Sequence, residues 1–452
     1  MKFAFPATSG AATLLLLLAG CGGGGGGGGE ATSNDGGGTG QSALQAYIEP
    51  VTPAVAGAPY AAALADCTFT AQRTTPCTLN QLPFIGLASS APVTVDEVMA
   101  RVVTSRPWMA QRLRELLLTL PADLLQMMKP VTAIVVASKI RPSFYWGATG
   151  AMYIDPVYLW TTPEELAEID KTPDYRSDFG DALQFASLWR YVKGNDYAYN
   201  WYPLRYNGTR TIEDIRIPFA SLMVHELTHA GDFSPPRLLA SLRKDIPLPD
   251  ALTQIADQRI SSKLYRTSPL GSEMWIGLAR VMFEGETPTA QQRALTAWDV
   301  SAAFSADRAT DDYSYASQHE DVAMLAEEAL MRIYYGVSRD FAISPRPTVQ
   351  SPTAADYVIT WGTRGRIGEE AAKQAAAQVV AELLPGISLT ADILAIPAPT
   401  PLPAGTSWQD SLALGRASAM AMGSAERRKD LDAGRPVAAD ILKPYSTRSG
   451  NP

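Results

Sequence analysis

The sequence predicts an α+β fold that is helix-rich, with a small sheet and a mostly helical C-terminal extension. Three observations support it. VTAIVVAS, from Val131, has the β-branched density of a buried strand, and GAMYIDPVYLW, from Gly150 to Trp160, is aromatic and interrupted by Pro156, as an edge strand would be. Helix start signals and apolar periodicity recur along the chain, from TVDE at Thr94 to QHEDVAMLAEEALMRIYYG at Gln318–Gly336. The predicted order is strand, edge strand, a helix carrying two histidines, then a further helix. At 452 residues with 46% apolar content, the chain can bury a large core and exceeds what one core usually serves. Its net charge of -8, with no basic run, argues against a nucleic-acid partner.

Taken in order, residues 1–20 read as an export signal: one basic residue, then a leucine run too short to span a bilayer. Leu18-Ala19-Gly20-Cys21 resembles the lipobox of bacterial lipoproteins, which implies a lipidated Cys21 as the mature N-terminus and membrane anchorage through it. Glycine rather than aspartate after the cysteine points to the outer membrane. Residues 21–45 are a glycine-rich tether, whose reach over about 20 residues is roughly 25 Å. Residues 46–130 form a wrapping segment followed by two or three helices. Thr94-Val95-Asp96-Glu97 is a capping box, and Pro107 suits the first turn of the helix in WMAQRLRELLLTL. Cys67 and Cys77 are expected to form a disulfide in an oxidising compartment. Residues 131–340 hold the chemistry, with Pro218 expected to open the two-histidine helix. In residues 341–452, SPRPTVQSPTAAD is a connector and RGRIGEEAAKQAAAQVVAELL an alanine-rich helix. IPAPTPLPAG is extended, and a last helix and polar tail follow.

The chemistry is concentrated in VHELTHAGDF, Val224 to Phe233, which contains two of the chain's three histidines. His225 and His229, four residues apart on a helix, project from one face and can share one tetrahedral ion. Glu226 then lies beside that ion, where a carboxylate serves as general base toward a water. Zinc suits this donor set, and a catalytic zinc needs one further protein ligand. The metzincin pattern is excluded, because its glycine and third histidine would fall at Asp232 and Pro235.

The HELTH motif and the acidic helix HEDVAMLAEE together resemble the gluzincin branch of the zincin metallopeptidases, and most closely its lethal-factor-like subset. The resemblance implies a zincin-like fold over residues 131–335, with the edge strand bordering a cleft and pairing with an extended peptide substrate. It implies Glu320 as third zinc ligand, and Tyr313, with Tyr315 second, as donor to a developing oxyanion. His319 and Glu327 remain rival ligands, His319 alternatively steadying the oxyanion and Glu327 alternatively accepting a hydrogen bond or pairing with Arg332. Asp232 is a candidate acceptor for the spare N–H of a ligand imidazole. The implied function is zinc-dependent hydrolysis of peptide bonds in an exported, lipid-anchored protein. The alternatives are a non-catalytic binding or scaffold lipoprotein of zincin fold, and an amidase or peptidase acting on cell-wall peptides.

Overall fold

The computed structural model describes residues 49–68, 75–89, 91–200 and 202–414. Cys21, the glycine-rich tether and the polar tail lie outside the described residues. No helix among the described residues is long and apolar enough to cross a membrane. The fold is mixed α and β, with two five-stranded sheets.

The first sheet has the order β1 (Thr52–Pro53), β2 (Val102–Thr104), β3 (Ile134–Val136), β5 (Ala151–Ile154), β4 (Phe144–Trp146). The inner strands are parallel, while β4 runs antiparallel to β5, pairing Tyr145 with Met152. Alternation decides the faces. Val102, Ile134, Val136, Tyr145, Met152 and Ile154 enter the main core, whereas Val103, Val135, Phe144, Trp146 and Tyr153 join a separate cluster containing Cys67 and Cys77. Those cysteines are bonded, with Cα atoms 5.5 Å apart.

Two expectations are corrected here. The edge strand is β4, in SFYWG, and the GAMYI stretch is an inner strand flanked on both sides. The turn from Gly147 to Gly150, with Gly150 at φ +66°, folds the two into a hairpin and leaves the earlier arm outermost. Pro156 ends the stretch, opening a short 3-10 turn capped by Asp155. The two-histidine helix does not open at Pro218 either. It starts at Ile212, under a capping box of Thr211 and Asp214, and Pro218 sits inside it.

The longer helices are α1 (Pro107–Leu117), α2 (Ile212–Phe233), α3 (Ile260–Thr267), α4 (Gln318–Tyr335) and α5 (Glu370–Leu383). Pro107 does occupy the first turn of α1, and Thr94 and Glu97 form the expected capping box. Helix α2 packs on the main-core face of the first sheet and along α4. From Ile217 to Phe233 it is buried all round, so no solvent face balances its apolar one.

A second sheet, not anticipated from the sequence, has the order β10 (Thr400–Pro401), β9 (Trp361–Arg364), β8 (Ser338–Pro345), β6 (Phe185–Lys193), β7 (Asp196–Tyr197), antiparallel throughout. It backs α4 through Tyr191 and Arg339. Helix α5 completes the main core from the other side through Ala376, Val379, Val380 and Leu383.

Candidate metal centre

Helix α2 supplies the imidazoles and α4 the carboxylate. Ser317 caps α4, accepting from the backbone N–H groups of His319 and Glu320, so Glu320 projects from a fixed first turn. His225 Nε2 lies 3.1 Å from Glu320 Oε2, His229 Nε2 lies 3.2 Å from the same oxygen, and the two Nε2 atoms are 3.2 Å apart. Donors about 2.05 Å from a tetrahedral ion stand about 3.3 Å from one another, so this triangle has the size that zinc requires. All three residues are buried, Glu320 being 5% exposed. Burial pushes the Glu320 carboxyl up, but the two imidazoles outweigh it and hold the group well below the usual carboxylate range.

The residues behind this triangle prepare it. His225 Nδ1 faces Glu327 Oε2 at 3.1 Å, so Glu327 fixes the tautomer that leaves Nε2 bare for a cation. Glu327 Oε1 in turn accepts from the hydroxyls of Tyr191 at 2.9 Å and Ser221 at 2.6 Å. Arg339 Nη1 stands 3.5 Å from that oxygen. Burial works against the ionised form of Glu327, yet His225 and Arg339 keep it below its ordinary range. Glu327 is therefore an orienting group on the far nitrogen of His225 and not a member of the triangle. Its partner among the arginines is Arg339, whereas Arg332 turns to Ser338.

Glu226 is wholly buried, and among the described residues neither of its oxygens reaches a partner at full hydrogen-bond geometry. Burial pushes its carboxyl up, against the opposing pull of His225, His229 and the backbone N–H of Tyr145 on edge strand β4. The general-base candidate is thus placed between the imidazole pair and the sheet edge.

The other candidates divide. Tyr313 is buried, with its ring stacked beside that of His225 at a centroid distance of 6.0 Å. Tyr315 stacks on Trp275 instead. His319 stands apart from the donor triangle. Its Nδ1 lies 2.5 Å from Asp232 Oδ2 and 3.1 Å from the Ser261 hydroxyl, and Ser261 N–H also donates to Asp232 at 2.7 Å. Asp232 is therefore tied to His319 and α3 and not to a ligand imidazole. Among the described residues His229 Nδ1 has no hydrogen-bond partner.

Ser221, Tyr191, Arg339 and the Tyr145 amide were not picked out from the sequence. Ser221 could have been, since it lies four residues before His225 on the same helical face. Glu327 carries a similar signal, two turns after Glu320. Tyr191 and Arg339 reach the site only through the second sheet. Comparisons of the chain with protein-family models, with curated proteins and with solved structures each give no match.

Proposed function

We propose that the chain is a zinc-dependent hydrolase of peptide bonds, of the gluzincin type within the zincins, exported and lipid-anchored through Cys21. The observation that carries this reading is the triangle of His225, His229 and Glu320 donor atoms, 3.1–3.2 Å apart, with the wholly buried Glu226 carboxylate beside it. When bound, the divalent ion supplies Lewis acidity toward a water and a carbonyl oxygen. The residues supply the rest. Glu226 takes the proton of the attacking water and returns it to the leaving amine, a task suited to a carboxyl whose affinity for protons burial has raised. Strand β4 offers an extended backbone next to Glu226 along which a peptide can align. Tyr313, beside His225, donates toward the carbonyl oxygen as it gains charge. His319, held by Asp232, is the second donor for that oxygen.

The scaffold alternative is disfavoured by Glu226. A wholly buried carboxylate with no ion pair to an arginine or lysine among the described residues costs stability, and a protein that only binds gains nothing from keeping one. Glu226→Gln tests the reading. The variant should retain about one zinc per chain while peptide hydrolysis falls roughly 100- to 10,000-fold. Full activity with metal retained would remove Glu226 from the mechanism.

A further inference from the structure

Solvent meets the metal centre on one flank. His225, Glu226, His229 and Tyr313 are at most 1% exposed and Glu320 is 5% exposed, whereas the side chain of His319, in the same first turn of α4, is 19% exposed. His319 leans on Phe233, the last residue of α2, with ring centres 4.7 Å apart. The turn leaving edge strand β4 meets the same ring, since a methyl at Gly147 would come within 3.3 Å of Phe233 Cδ1. Arg259, immediately before α3, lays its guanidinium 4.3 Å from the centre of that ring. Phe233 therefore joins the open flank of the centre, the end of the strand beside Glu226 and one cation.

That cation is uncommitted. Arg237 and Lys263 pair with Glu382, Arg243 with Asp245 and Arg308 with Asp321. Arg259 is half-buried, its Nε is enclosed without a hydrogen-bond partner, and among the described residues no carboxylate is within ion-pairing reach of its guanidinium. The acid whose charge reaches it is Asp232, whose oxygens are already held by His319 and the Ser261 N–H. Burial works against the charged form of Arg259, and Asp232 offsets this only in part. A carboxylate arriving from solvent would supply the missing partner through charge-assisted, two-pronged hydrogen bonds. We propose that Arg259 selects the substrate by anchoring a carboxylate of the peptide, either an aspartate or glutamate side chain near the scissile bond or the free C-terminus. The choice of a peptide rests on the hydrolase reading, but the contact is a binding event that can be read without turnover.

Short dye-labelled peptides test this by fluorescence anisotropy on the zinc-loaded full chain carrying Glu226→Gln, with cleavage of the same peptides followed in wild type. One series steps a single glutamate through a neutral, C-terminally amidated sequence, a second leaves the neutral sequence with a free C-terminus, and the reference has neither carboxylate. One of the two series should contain a peptide that binds about tenfold or more tightly than the reference, and which series it is tells a side chain from a C-terminus. Adding Arg259→Ala should bring that ratio to about one, and Arg259→Glu should transfer the preference to a lysine at the same position. Wild-type cleavage should show the preference in KM, as expected of a contact made equally in ground and transition states. Equal binding of the reference and every carboxylate peptide, or a preference that survives Arg259→Ala, would overturn the proposal. The first comparison is made without changing Arg259, so it decides the matter even if the Arg259 variants fold poorly. Selective binding through Arg259 with no cleavage by wild type would sink the hydrolase reading and leave the anchor standing, whereas cleavage indifferent to carboxylates would do the reverse.

Discussion

Glu327 shows how much of this centre is made by residues that touch no ion. One carboxylate oxygen holds His225 Nδ1, the other collects Ser221 and Tyr191, and Arg339 stands behind. Glu327→Gln keeps the volume but removes the charge that makes His225 a stronger base. Zinc affinity should fall about 10- to 100-fold, read by competition with a chromophoric chelator; unchanged affinity would make Glu327 a packing residue. A different acid gives a pH signature. Asp312 is buried, and burial, then the neighbouring Asp311 charge, push it up to about 7. The folded state therefore keeps a proton that the unfolded chain releases near pH 4. Its contribution to stability is present below that pH and is lost as pH rises toward 7. Asp312→Asn, which imitates the protonated form, should raise the melting temperature at pH 8 relative to wild type and change it little at pH 4. Equal effects at both pH values would contradict the assignment. At this scale much was readable in advance: the i, i+4 spacing of His225 and His229 with Glu226 between them fixes their relation on any helix. Asp232 and His319 were not readable in this way, because their pairing depends on how α2 and α4 cross.

At the scale of elements, the site depends on α2 being clamped between the first sheet, α4 and α5. Gly231 marks the closest approach to α5, since a methyl there would come within 2.4 Å of Leu383 Cδ2. In an exposed helix Gly→Ala gains about 1 kcal/mol. Here Gly231→Ala should instead destabilise by about 1–3 kcal/mol, because Leu383 is 2% exposed and has little room to move. Adding Leu383→Ala should then cost less than it does in wild type. Additive costs in that thermal-unfolding cycle would mean the two sites do not touch. The strand errors have a local cause. SFYW is only four residues between Pro142 and Gly147, too short to register as a strand, and the pairing that makes it the edge is a property of the hairpin turn. Pro218 misled because proline is commonest at helix starts, whereas here the Thr211–Asp214 capping box sets the start.

Across the whole molecule, the described part beyond residue 340 is not an appendage. Strands β9 and β10 extend the second sheet, α5 fills the main core, and Arg190 in β6 reaches the Trp408 carbonyl at 2.6 Å. A chain ended after Arg346 should lose its cooperative thermal transition, since β8 would become a bare apolar edge and α4 would lose α5. A truncated chain melting like wild type would show the residues beyond Arg346 to be dispensable. The second sheet escaped the sequence reading because its central ladder joins residues 150 positions apart. Its strands also bury charges, with Arg190 and Arg364 sharing Asp340, in place of a clean apolar alternation. The helices and the histidine pair needed only local spacing, and so they were legible. The central claim is that His225, His229 and Glu320 hold one zinc, and zinc-edge X-ray absorption on the metal-loaded chain tests it most directly. The predicted spectrum shows a four-coordinate ion with two imidazole nitrogens and carboxylate oxygen at about 2.0–2.2 Å, the imidazole signal disappearing in His225→Ala. Sulfur scattering, or a spectrum that keeps both imidazoles in His225→Ala, would contradict it.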